Sequence, residues 1–344
     1  MGTIIKERET RVSRTYRGGK LLDAFLGKQT CEDSFYPEDW ISSFVEAKAK
    51  DYIPNEGLTL TEDGRLLADM VKKSDFGPGR TEPGVLIKLL DSCERLGIQV
   101  HPTDDYAMKL FRTPWGKTEC WHILDTRTID GETPKVYLGF KPGITRDMWE
   151  DYYRRQDVQA MLDAMHAVDV KAGDTVLVCG GTPHAIGAGC LMVEIQQPSD
   201  YTMRCETVPL SGPPYTPQQI HYGAGEEAML DCFNYTPMIL EELEAKYLLK
   251  PAVTESDRFT RLDYVRYSDT PCFALSELQG EFSLREECFI TLVVLENGGC
   301  MESNGIRYSL ARGEKYFVPA DTEIHCSNCK VLVCYPPEKG DNQL

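Results

Sequence analysis

Apolar residues come in short runs of four to seven positions, cut by Gly, Pro and Asp, over most of this chain. The runs at 85–90, 97–101, 120–124 and 135–139 read as β-strands, and so do those at 175–178, 190–195 and 201–205. From Cys272 onward the same texture continues at 289–295, 307–310, 315–318 and 331–335. A helical period is clear in few places. Over 144–167, Met148, Tyr152, Met161, Leu162 and Met165 alternate with charges, with a possible break at Asp157. Shorter helices are predicted at 65–71 and 239–247. Residues 1–80 are mixed and turn-rich, and 210–260 begin rich in proline at Pro213, Pro214 and Pro217. Many short strands with turns between them predict a mainly β protein of sandwiches or barrels, not a parallel α/β sheet.

The segment Ala172-Gly-Asp-Thr-Val-Leu-Val-Cys179 resembles Arg312-Gly-Glu-Lys-Tyr-Phe-Val-Pro319, which suggests two copies of one β unit. Extending the match places Ile324 opposite His184, with His325 one position away. A one-residue slip turns a strand side chain to the other face. The second copy is therefore expected to hold no metal. The expected division is a first domain over 1–235 with its helical insertion near 144–167, a connector over 236–260 and a second domain over 261–344. A chain of 344 residues is long enough for two such cores.

Charge and cysteine content narrow the partners. A net charge of −17 argues against a nucleic-acid partner, since a polyanion is repelled by most of the surface. A small anionic substrate remains compatible, because a few Lys and Arg suffice to line one cleft. Thirteen scattered cysteines, with Lys6, Glu7, Arg8 and Glu9 in place of an apolar leader, fit free thiols in the cytoplasm. Cys326-Ser-Asn-Cys329 has no second pair at the spacing a structural zinc needs. No apolar run approaches the roughly 20 residues of a membrane helix. The expected partner is a small molecule, for a monomer or homodimer with neither nucleic acid nor membrane.

The candidate chemistry lies in the first strand-rich half. Gln99 and His101 are two apart, so on an extended strand both face one way, and Lys117 and Glu119 share that relation. His184 follows a strand in Gly181-Thr-Pro-His184. If these segments line one β interior, an amide, two imidazoles and a carboxylate meet beside an ammonium, a donor set suited to Zn²⁺. A lone histidine in a β protein is more often packed or exposed than ligating, so spacing alone leaves the group open. Gly187-Ala-Gly189 runs into a strand pattern and reads as a turn rather than a nucleotide loop.

Several segments together carry a resemblance. Glu82-Pro-Gly-Val-Leu-Ile-Lys-Leu-Leu90, Gly97-Ile-Gln-Val-His-Pro102 with Asp104, Gly116-Lys-Thr-Glu-Cys-Trp121, Gly181-Thr-Pro-His-Ala-Ile-Gly-Ala-Gly189 and Glu194-Ile-Gln-Gln197 resemble class I mannose-6-phosphate isomerases in order and spacing. Pro37-Glu-Asp-Trp40 is similar to that family's N-terminal tryptophan motif. The resemblance covers most of 16–205 and implies a cupin jelly-roll catalytic domain with helical insertions, plus a second C-terminal jelly roll. It implies Gln99, His101, Glu119 and His184 as ligands of one zinc per chain. By the same resemblance Lys117 and Arg204 match catalytic positions, and Lys88 and Arg204 bind substrate.

The activity so implied is the interconversion of mannose 6-phosphate and fructose 6-phosphate through a cis-enediol. Lys117 is the expected base, with a pKa lowered by zinc and Arg204. Two positions depart from the family pattern. Gly97 stands where many members carry a serine associated with the phosphate end of the substrate. Cys205-Glu206 follow Arg204 where relatives commonly continue with an aromatic residue and an aspartate. A diverged paralogue acting on another sugar, a non-catalytic carbohydrate-binding cupin and a metal-dependent oxygenase are the rival readings. The last favours more histidines than this set holds.

Overall fold

The structure, a computed structural model, describes residues 2–48 and 53–339. The described residues form three antiparallel sheets. A seven-stranded sheet runs in the order Leu248–Leu249, Thr175–Val178, Glu119–Thr126, Cys190–Gln196, Leu86–Ser92, Glu38–Ile41, Arg11–Val12. A five-stranded sheet runs Met203–Arg204, Gln99–Val100, His184–Ile186, Lys135–Phe140, Met165–Asp169. Between them lies an apolar layer drawn from both, with Leu90, Trp121 and Met192 against Val136, Leu138 and Ile186.

The third sheet has nine strands and holds the C-terminal region around its own core of Leu292, Val294, Tyr316, Val331 and Val333. It packs on the outer face of the seven-stranded sheet, where Ile87, Leu89 and Val193 meet Phe289, Val293, Phe317 and Leu332. The seven-stranded sheet is thus covered on both sides. That explains why Leu86–Ser92 and Cys190–Gln196 are buried at every position and read as continuous apolar runs rather than alternations. Lys88 and Glu194 break those runs, and they face each other in register.

Several expectations change in detail. The helical stretch over 144–167 is two helices, Arg146–Arg155 and Val158–Asp163. Gln156 takes a left-handed conformation between them, and the Asp157 side chain caps the second helix by accepting from the Ala160 amide. Met165, read as helical, opens the strand Met165–Asp169. Its backbone pairs with Lys135–Phe140, and sheet hydrogen bonding overrides the local period there. Ile5–Glu7, from the turn-rich N-terminus, adds a strand to the C-terminal sheet, as does Ala252–Glu255 from the expected connector. The Pro-rich stretch contains helices Pro217–His221 and Glu226–Leu230.

The sequence repeat has a structural counterpart. Thr175–Val178 and Lys315–Val318 are strands, each entered through a glycine at positive φ, Gly173 and Gly313. Ile324 is buried in the C-terminal core, while His325 lies exposed with Nδ1 2.8 Å from Ser283 Oγ.

Candidate metal centre and adjoining cavity

Register builds the site. Across the five-stranded sheet Arg204 pairs with Gln99 and Gln99 with His184, so the three side chains form one row on one face. Across the opposing sheet Trp121, Glu194, Lys88 and Trp40 form another row. His101 follows the strand Gln99–Val100, and Lys117 precedes the strand that opens with Glu119. His101, Glu119 and His184 offer ligand atoms that all lie within 4.8 Å of one another, and all three residues are buried.

Each imidazole is oriented from behind. His101 Nδ1 donates to the Tyr201 carbonyl at 2.9 Å, and His184 Nδ1 donates to the Thr182 carbonyl at 2.8 Å. With the proton on Nδ1 and held by a backbone carbonyl, each Nε2 presents a lone pair to the centre, as a histidine must to ligate a metal. Those Nε2 atoms lie 3.3 and 3.4 Å from Glu119 Oε2 and Oε1. Gln99 brings its amide within reach, with Nε2 3.2 Å from His184 Nε2.

Burial lowers the His101 pKa to about 3, helped by the Lys117 ammonium, and burial also lowers that of His184. Both rings are therefore neutral, as ligands must be. Burial disfavours ionisation of Glu119, but Lys117 together with His101 and His184 outweighs this and holds the carboxylate well below its usual range. Glu119 Oε2 is sealed from solvent and accepts no well-directed hydrogen bond, although Lys117 Nζ stands 2.8 Å away. Two inward lone pairs, an ionised carboxylate with an unsatisfied oxygen and a neighbouring amide fit a divalent cation of borderline softness.

Burial pushes the Lys117 ammonium toward losing its proton, but Glu119 and then Glu194 more than offset this, and the pKa is raised. Among the protein's own groups, carboxylates dominate its surroundings. Its Nζ lies 2.9 Å from His101 Nε2 and 3.6 Å from Glu194. Lys88 is buried on a central strand, 3.2 Å from Glu194 and 5.2 Å from the centre of the Trp40 ring. Arg204 lines the same cavity over Tyr215, its guanidinium donating to the Thr202 and Gln219 carbonyls. Among the described residues it has no carboxylate partner.

The cavity also gathers residues that sequence reasoning had not singled out. Arg14 binds Glu38 at 2.8 Å and Asp200 through both terminal nitrogens at 3.1 Å. Tyr16 and the Trp40 indole donate to the two oxygens of Glu38. Glu194 had one signal in the sequence, an acid inside an otherwise apolar run. Arg14 and Asp200, 186 positions apart, had none.

No family model matches the chain. It is 27% identical over 314 residues to a Bacillus subtilis protein named probable mannose-6-phosphate isomerase GmuF, covering 89% of this chain and 90% of that protein. It is 34% identical over 124 residues to a mannose-6-phosphate isomerase of Streptococcus mutans, covering 35% of each. The crystal structure of the Bacillus subtilis mannose 6-phosphate isomerase superposes with a TM-score of 0.75 at 21% identity, over 97% of this chain and 99% of that one. A variant of the Salmonella typhimurium phosphomannose isomerase superposes at 0.69 and 15% identity, over 97% and 100%. The likeness first seen in a few motifs extends over nearly the whole chain.

Proposed function

We propose that this chain, a relative of the mannose-6-phosphate isomerases, is itself an aldose–ketose isomerase that interconverts mannose 6-phosphate and fructose 6-phosphate. The observation that carries this reading is the buried cluster of His101, Glu119 and His184 with Lys117, of which Glu119 and Lys117 line the cavity. Gln99, His101, Glu119 and His184 would hold one Zn²⁺, which when bound supplies a Lewis acid for the substrate's oxygens.

The reaction moves a proton between C2 and C1 of the open-chain sugar through a cis-enediol, with negative charge growing on an oxygen. Lys117 is the proposed proton carrier, since its Nζ lies beside the ligand set. Lys88 and Arg204 offset the growing charge, and Arg204, without a carboxylate partner among the described residues, is the natural anchor for an anionic group. Glu194, between Lys88 and Lys117, keeps both ammonium groups aimed at the cavity. Region 1–235 carries the chemistry in this reading, and 261–344 is structural.

The test is an isomerase assay over a panel of sugars and sugar phosphates, before and after chelation. Turnover of mannose 6-phosphate that vanishes on chelation and returns with Zn²⁺ is expected. Full activity in the chelated protein, or turnover confined to another sugar, would overturn the assignment.

A further inference from the structure

The two departures from the family pattern meet in space. Glu206, buried, reaches back to the segment before Gln99, where its Oε1 accepts from the Ile98 amide at 2.7 Å. A Cβ added at Gly97 would find only that same oxygen nearby, at 4.0 Å, so the place of the missing side chain is open. What Glu206 holds there is Arg95. The Arg95 Nη1 and Nη2 donate to Oε1 and Oε2 at 2.6 and 2.9 Å, and Nη1 also donates to the Leu96 carbonyl at 2.7 Å.

This leaves a specific part of the guanidinium uncommitted. The end-on fork grips Glu206, and the second Nη1 proton goes to Leu96. The Nε–H and the remaining Nη2–H, which form the parallel side fork, have no partner among the described residues. Both Arg95 and Arg204 line the cavity that holds Lys117 and Glu119. Gly97 lies two residues before Gln99, about 6.6 Å along an extended segment, so this end is displaced from the ligand set by the reach of a short sugar chain. A side fork fixed in this way suits two oxygens of a phosphate.

We propose that Arg95, held by Glu206, is a specificity-determining residue that grips the phosphate of the substrate together with Arg204. Glu206 is a positioning residue, and the pair serves at the site left open by Gly97. This deepens the isomerase reading and rests on it for the sugar, but not for the anion.

Calorimetric titration of the metal-loaded protein with mannose 6-phosphate and with mannose tests it. Arg95→Met is expected to weaken mannose 6-phosphate binding at least tenfold while mannose binding stays within about twofold. Arg95→Lys, which keeps the charge without the fork, should fall between. If Arg95→Met misfolds because Glu206 is left unpaired, Arg95→Met/Glu206→Gln removes that charge and should show the same selective loss. Unchanged phosphate binding, or equal loss for both ligands, overturns the proposal. Turnover with unchanged Arg95 variants would sink this inference alone. Selective phosphate binding through Arg95 without turnover would sink the isomerase reading alone.

Discussion

An ammonium packed between two carboxylates and an imidazole has few rotamers open to it, and Lys117 is so placed by Glu119, Glu194 and His101. Its aliphatic stem is buried, so Lys117→Met preserves volume while deleting the proposed proton carrier. The expected result is a fall in kcat of about 10²-fold or more, with zinc content unchanged by elemental analysis. A fall of less than about tenfold would move the role of base elsewhere, with Glu194 next in line. Residue chemistry was partly legible beforehand: the i, i+2 spacing of Gln99 with His101 and of Lys117 with Glu119 states which side chains share a face. It does not state the protonation of Lys117, which depends on its burial, on how closely Glu119 approaches and then on Glu194, 77 positions away.

The segment that carries His101 is held at its C-terminal side by two glycines. A Cβ at Gly116 would stand 2.5 Å from the Pro102 carbonyl oxygen and 2.7 Å from the Thr103 carbonyl carbon. One at Gly180 would stand 2.8 Å from the same Pro102 oxygen. Backbone hydrogen bonds from Lys117 to Pro102 and from Gly181 to His101 complete the clamp. Gly116→Ala must therefore shift this backbone, moving His101 and Lys117 together. Zinc titration is expected to show affinity reduced by about tenfold or more, with a smaller change in melting temperature than in metal binding. Unaltered affinity would mean that the loop absorbs the methyl without moving the ligand. At this scale the strands of the sheets were readable from their apolar runs. The limits of the insertion helices were not, because pairing with Lys135–Phe140 claims Met165 for a strand.

The seven-stranded and nine-stranded sheets share more than an apolar contact. Glu38 and Asp39 are consecutive on one strand and point to opposite faces, Glu38 into the cavity and Asp39 toward the C-terminal sheet. There Asp39 pairs with buried Lys315 and accepts from the Thr10 amide. Lys315→Met leaves Asp39 charged and unpaired, and a loss of about 3–5 kcal/mol in unfolding free energy is expected by denaturant titration. A loss under about 1 kcal/mol would show that this pair adds little. Nearby, burial raises the Glu7 pKa from 4.5 to about 7, although both its oxygens accept from Ser42. For a carboxyl raised on folding, the favourable contribution is fully present below about pH 4.5 and is lost as pH rises through about 7. Glu7→Gln should therefore gain on the parent by about 2 kcal/mol between pH 5 and pH 8. A pH-independent difference would show that Glu7 ionises normally.

The sequence by itself determined the mainly β architecture and which candidate side chains share a strand face, because period-two alternation and turn residues are local properties that short segments carry alone. Tertiary structure decided which of those segments face one another and therefore which charges are neutralised. Arg14 finds Asp200, Lys88 finds Glu194, and Arg95 finds Glu206 only after three antiparallel registers are set. Each of these pairs joins residues more than 100 positions apart, and their energies depend on burial that no local window records. The same reason hid the anion-binding end of the cavity: Gly97 and Glu206 look like losses along the chain, and become a site only when folding lays one beside the other.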